Sequence, residues 1–295
     1  MLRDEGLKAD AVILSTRANG MINPCYPLVE NLNYVIVRLR MGGRDYFLDA
    51  TDPHLGFGKI PLECYNGYAR VVSEQPDSVI LVPDSVREFR MTTVFLSASD
   101  ARDGLTGTFT EMQSYFSSLD IRDSVRTRGE DAYFEDLRKA YPFDVQLSDK
   151  HIDSLKDYDQ PVTVRYALTI PMAGDDRIYF NPMLSEARKE NPFVAAVRHF
   201  PIEMPCRIDE LYVLRMVIPK GYEVEELPKG VRVRLNDADG SYEYGFLSDG
   251  ETIQFRSRLM LNRTYFLPED YQSLRDFFAL VVKEQGQVVV FRKKK

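Results

Sequence analysis

At 295 residues the chain is longer than a single core usually grows, and it leaves room for two domains. Hydrophobic residues at 44% and charged residues at 28% are near the average for folded proteins, which excludes bulk disorder, collagen-like repeats and a disulfide scaffold. A formal charge of -7, from 38 basic and 45 acidic side chains, gives no field that would attract a phosphate backbone, so nucleic acid is not an expected partner. The 17 Tyr and 17 Phe, with no Trp, suit half-buried strands better than a helical bundle. The expected fold class is therefore α+β, mainly β.

In chain order, a helix end broken by Gly6 leads into a strand over 11–16. After a polar loop, strands over 34–39 and 46–50 flank Gly42-Gly43, a pair that tolerates the positive φ of a tight hairpin. Residues 51–67 are rich in turn formers, and Gln75-Pro76-Asp77 suggests a boundary between a domain over 1–75 and one over 76–295. Alternating patterns over 88–96 and, after Asp103-Gly104, over 105–110 read as antiparallel strands. Apolar residues three and four apart predict helices over 115–127 and 132–140. Strands resume over 162–170 and near Ile178, Glu210, Val231, Tyr242 and Thr252, with turn dipeptides at the spacing of a β-sandwich. A closing amphipathic helix over about 268–285 places Tyr271, Leu274, Phe277, Phe278, Val281 and Val282 on one face, and a last strand ends in a basic tail. No apolar run reaches the length of a membrane helix, and the first residues have no signal-peptide core.

Four segments carry a family resemblance: Gly6-Leu7-Lys8-Ala9-Asp10-Ala11-Val12, Ser15-Thr16-Arg17-Ala18-Asn19-Gly20, Leu32-Asn33-Tyr34-Val35-Ile36-Val37 and Tyr46-Phe47-Leu48-Asp49-Ala50-Thr51. In order and spacing they resemble the second half of a transglutaminase-like, papain-like core. The later Asn181-Pro182, Glu190-Asn191-Pro192-Phe193, Arg198-His199-Phe200-Pro201-Ile202 and Pro268-Glu269-Asp270-Tyr271 resemble the β-rich domain of unknown function that follows such cores in exported bacterial proteins. The resemblance implies a partial antiparallel sheet over 1–75, then a β-sandwich-like domain with a few helices, in the periplasm or outside the cell. In such a family a Cys at a helix N-terminus is the nucleophile, a His is its base and an Asp fixes the His tautomer. By resemblance Asp49 holds the Asp position and Tyr34 the His position. A neutral phenol does not take a thiol proton at pH 7 as an imidazole does. The helix bearing the nucleophile is expected upstream of Met1.

Other residues have plain structural readings. Cys25 lies between Pro24 and Tyr26 in a loop, without the helix N-terminus that lowers a thiol pKa. His54 and Cys64 are two residues of a dyad or half a metal site at most, and no C-x-x-C frame exists, so no metal or other cofactor is expected. His151 and His199 read as structural, as do the acidic pairs Asp175-Asp176, Glu225-Glu226 and Glu269-Asp270.

The resulting expectation is a non-catalytic transglutaminase-like fragment joined to a β-rich binding module, with protein or glycan at the cell envelope as partner. The rival is a cysteine peptidase or protein acyl transferase whose nucleophile precedes Met1. A sugar-binding sandwich is a third reading, and it requires Tyr242 and Tyr244, which share one side of a strand, to be exposed on a concave face.

Overall fold

The computed structural model describes residues 2–26, 28–75, 77–99, 104–172 and 174–294. Met1, Pro27, Pro76, Asp103 and Lys295, each part of a segment assigned above, lie outside the described residues. The chain divides into two units, one holding the described residues up to Arg87 with 156–159 and 203–207, the other holding the rest.

In the first unit, strands β1 (Lys8–Leu14), β2 (Tyr34–Met41), β3 (Arg44–Leu48), β4 (Gly67–Val72) and β5 (Asp77–Leu81) form an antiparallel sheet ordered β3-β2-β1-β4-β5. Gly42 and Gly43 both have positive φ, 60° and 76°, which gives the β2-β3 hairpin a turn whose twist matches its strands. Ahead of β1, the Leu7 amide donates to the Leu2 carbonyl and the Gly6 amide to the Arg3 carbonyl, with Gly6 at φ 78°, which is the bonding pattern that ends a helix. Alternation along the strands places Val12, Leu14, Ile36, Ala69, Val71 and Leu81 in one core with Ile60 and Cys64. The opposite face stays open at Val35, Val72 and Ile80, which are exposed.

The first unit does not stop at residue 75. The turn formers that read as a linker join β4 to β5, which pairs from Asp77 to Leu81 and completes the sheet. A short hairpin turn and a linker use the same residues, and only strand pairing separates them.

The second unit contains β6 (Arg87–Ala98), β7 (Gly104–Gln113), α1 (Tyr115–Arg128), α2 (Glu130–Ala140), β8 (Gln146–Asp153), β9 (Val162–Pro171) and β10 (Arg177–Phe180). It continues through the short β11 (Ile202–Glu203), then β12 (Arg207–Val217), β13 (Tyr222–Glu226), β14 (Val231–Arg234), β15 (Gly240–Ser248), β16 (Thr252–Leu261), the short β17 (Tyr265–Phe266), α3 (Tyr271–Gln285) and β18 (Val289–Lys293). Eight strands build one sheet in the order β14-β15-β16-β12-β6-β7-β9-β8, and three build a second, β10-β18-β13. The sheets face each other across an apolar pocket of about 490 Å³, lined by Leu105, Ile170 and Met216 of the large sheet and Ile178, Phe180 and Phe291 of the small region. Such layering is what a sandwich requires. Helix α3 buries Leu274, Phe277, Phe278 and Val281, the stripe expected from its spacing. Strand β8 is almost wholly exposed and has no alternation, so periodicity does not reveal it.

Candidate functional site

Tyr34 opens β2 opposite Leu14 of β1, and Asp49 follows the end of β3, so the hairpin brings residues 15 apart in sequence side by side. The Tyr34 hydroxyl donates to Asp49 Oδ2 at 2.7 Å and lies 2.7 Å from Thr51 Oγ1. Asp49 Oδ1 accepts from both the Thr51 amide and the Thr51 hydroxyl, each at 2.7 Å. This is an Asx-type turn, in which a carboxylate at a strand end captures the amide two residues on. Burial first, reinforced by the Asp49 carboxylate and offset by the Thr51 hydrogen bond, pushes the Tyr34 phenol up to about 12. At neutral pH it is a donor, the opposite of what a catalytic base must be.

Cys64 belongs to the same neighbourhood. It ends a short 3-10 turn (Leu62–Cys64), is 1% exposed, and shares the first unit's core with Val12 and Ile36, with Tyr34 packed against that core. Burial first, then the charges of Asp49 and Glu63, push its thiol up to about 12. A thiol held protonated in this way packs as a small hydrophobe and does not attack. Pairing Cys64 with His54, the sequence-level dyad, finds no support, since His54 is engaged by Asp52, with Nδ1 3.2 Å from Oδ1, and by the Tyr158 ring at 5.4 Å. Proximity of Cys64 to Tyr34 and Asp49 has no local sequence signal, because the residues meet only through sheet pairing. Cys25 is exposed in its loop, where its amide donates to Asn23 Oδ1.

The remaining candidates are dispersed. His151 is on the exposed strand β8, while His199 is exposed in a loop. Glu225 is held by a bidentate pair with Arg177 at 2.7 and 2.8 Å, and Asp270 accepts from the Leu267 amide at the start of the closing helical segment. Among the described residues no group of three His, Cys, Asp or Glu is placed to hold a metal ion. Tyr242 and Tyr244 do share a side of β15, but they are 0% and 2% exposed, against the core. The side of a strand follows from its period, whereas which side is covered is decided by the layer that packs there, and here the aromatic side faces inward, so the sugar-binding face is not formed by these residues.

Substituting Tyr34 by Phe removes both contacts of the hydroxyl while keeping the ring. It is expected to lower stability by about 0.5 to 1.5 kcal/mol, read from urea unfolding. A loss above about 3 kcal/mol would show that the pair does more than brace the turn.

With this geometry the chain is an α+β protein, mainly β, whose first unit is an open antiparallel sheet and whose second is a layered β-rich body. Residues 176–291 match the model of a family described as a Domain of Unknown Function with solved-structure structure (DUF3858). No curated protein matches the chain. Among solved structures it is similar to a crystal structure described as that of "a putative protease" from Parabacteroides distasonis, at 15% identity and a TM-score of 0.49. The match covers 99% of this chain and 41% of that one, so this chain spans about two fifths of the other's length.

Proposed function

We propose that this chain is a non-catalytic module of the transglutaminase-like type, joined to a β-rich domain that binds a protein partner at the bacterial cell envelope, in the periplasm or outside the cell. The observation that carries the reading is the Tyr34 to Asp49 hydrogen bond at 2.7 Å. By the sequence resemblance these two residues hold the His and Asp positions of a thiol catalyst, and here the first is a phenol donating to the second. The constellation keeps the bracing half of a triad and lacks its base. Cys64, the cysteine packed in the same core, is buried with its thiol pushed up, which fits a structural role. A protein partner is preferred to a glycan because Tyr242 and Tyr244, the candidate stacking platform, are buried.

The rival reading is a cysteine peptidase or acyl transferase in a longer protein, with the nucleophile supplied from outside these residues. Alkylation tests whether Cys25 or Cys64 of this chain acts as a nucleophile. With iodoacetamide at neutral pH, Cys25 is expected to be accessible to the reagent because it is exposed. Cys64 is expected to label about a thousandfold or more slowly than a free thiol, since each pKa unit costs tenfold in thiolate and its thiol lies about three above the ordinary 9.0. Labelling of either cysteine much faster than a free thiol, with loss of hydrolysis of a peptide substrate, would overturn the non-catalytic reading.

A further inference from the structure

The second unit contains a charged centre that the reading above does not use. Arg90 of β6 donates through Nη1 to Glu186 Oε2 at 3.1 Å and has Nη2 3.5 Å from Glu210 Oε2. Arg188 grips Glu210 from the other side, at 2.7 and 2.8 Å. On β7, Glu111 accepts from Thr92 at 3.3 Å and from Gln113. Two guanidinium groups thus meet three carboxylates, and a single proton on the carboxylates makes the centre neutral.

Glu186 is carried by a loop over residues 181–190 that reaches the sheet under strain. Leu184, 2% exposed, sits at φ 53°, a conformation that a leucine rarely adopts and that persists only where the surroundings enforce it. The loop's ties to α3 are the Asn181 amide donating to the Gln285 carbonyl and the Arg188 backbone amide donating to Gln285 Oε1, both at 2.9 Å. Beside the carboxyl is a cavity of about 20 Å³, lined by Arg90, Glu186, Glu210, Tyr212, Ser257 and Gln285 among others, which has room for one water. Tyr212 is 4% exposed and its hydroxyl, in that cavity's wall, has no hydrogen-bond partner among the described residues. An orphaned buried hydroxyl is costly, and the cavity gives it a path through one water to the Glu186 carboxyl.

We infer that Glu186 is a proton-operated latch, whose protonated carboxyl holds the loop over 181–190 on the sheet and whose ionisation releases it. The groups facing Glu186 are Arg90 on β6, Glu111 on β7, Tyr166 on β9, Glu210 and Tyr212 on β12, Tyr133 on α2 and Tyr141 beyond it, with Ser185 in its own loop and Arg188 behind Glu210. Burial first, then the Glu111 charge, push the Glu186 carboxyl up to about 7 against the lowering pull of Arg90. With 16% of its side chain at the surface, it still exchanges protons with solvent. A carboxyl that titrates higher when docked than when free favours the docked loop fully below the free-carboxylate range, and that preference is lost as pH rises towards about 7. Above that value both states are ionised and the balance no longer changes.

Hydrogen exchange on the full chain, followed by mass spectrometry of peptides spanning 181–190 and corrected for intrinsic exchange, tests the latch. Between about pH 5 and pH 7 protection of these peptides is expected to fall roughly tenfold per pH unit and then to level off. Glu186→Gln, neutral at every pH, should abolish the dependence. Glu111→Gln, which removes the neighbouring charge, should move the fall to lower pH, and it decides the matter if Glu186→Gln does not fold. Protection independent of pH in the native chain, an undiminished fall in Glu186→Gln, or an unshifted fall in Glu111→Gln would each overturn the inference.

Discussion

Replacing Gly107 by alanine is expected to destroy the native packing of the second unit. Gly107 lies in β7, paired with Leu96 of β6 on one side and Leu168 of β9 on the other, in the interior of the eight-stranded sheet. A Cβ there would stand 1.8 Å from the Phe95 carbonyl oxygen and 2.8 Å from its carbon. The obstacle is backbone in the adjoining strand, so no rotamer change relieves it, and the strands must separate and lose ladder hydrogen bonds. The expected cost is about 4 kcal/mol or more, a large share of the stability of an ordinary domain. Gly245→Ala is the matched control, because a Cβ at Gly245 of β15 meets nothing within 4 Å among the described residues. It should leave the urea midpoint unchanged or slightly raised. A Gly107→Ala chain with a native circular dichroism spectrum and a midpoint near that of Gly245→Ala would refute the account.

Substituting Arg38 by Met is expected to destabilise the first unit by about 2 to 3 kcal/mol at neutral pH and by clearly less in acid. Arg38 is a buried guanidinium on the inner face of β2, its side chain 4% exposed. Its Nη2 donates to Asp10 at 3.0 Å, and its Nη1 lies 2.8 Å from Asp77 and 3.9 Å from Asp45. Since the three carboxylates remain between 21% and 42% exposed, water partly compensates them once the partner is gone, and the expected loss lies below that of a fully buried pair. The Arg38 hydrogen bond is the main cause that holds Asp10 and Asp77 below the usual carboxylate range. Groups with lowered pKa in the folded state stabilise it above the ordinary carboxylate range, and that contribution is lost as pH falls through their folded values. Urea unfolding of both chains at about pH 7 and about pH 3 should show the gap closing in acid. An equal difference at the two pH values would mean that Arg38 acts through packing alone.

Much of the local architecture is written in short patterns. Gly42-Gly43 between two alternating runs specifies a hairpin, because few other residues accept positive φ at both turn positions. The spacing of Leu274, Phe277, Phe278 and Val281 specifies a buried helix face. The Asp49-Ala50-Thr51 turn is legible in the same way, since a carboxylate at a strand end reaches the amide two residues on. Strands β4 and β5 are less legible: their connection is as rich in turn formers as a linker, and their apolar residues are spread over both faces.

What the amino-acid sequence determined by itself is therefore whatever depends on neighbours in the chain: turn positions, helix faces and the β-rich class, while the pairing of Tyr34 with Asp49 came from the family resemblance. The tertiary structure alone decided the rest. It placed a protonated Cys64 in the core against which Tyr34 packs, turned Tyr242 and Tyr244 inward, extended the first sheet to Leu81, and gathered Arg90, Glu111, Glu186 and Glu210 from three strands and a loop. The sheet's extension rests on strand pairing, and the other three share one physical reason. Burial and long-range electrostatics depend on which surfaces cover one another, and two residues a hundred positions apart carry no periodicity that announces their meeting.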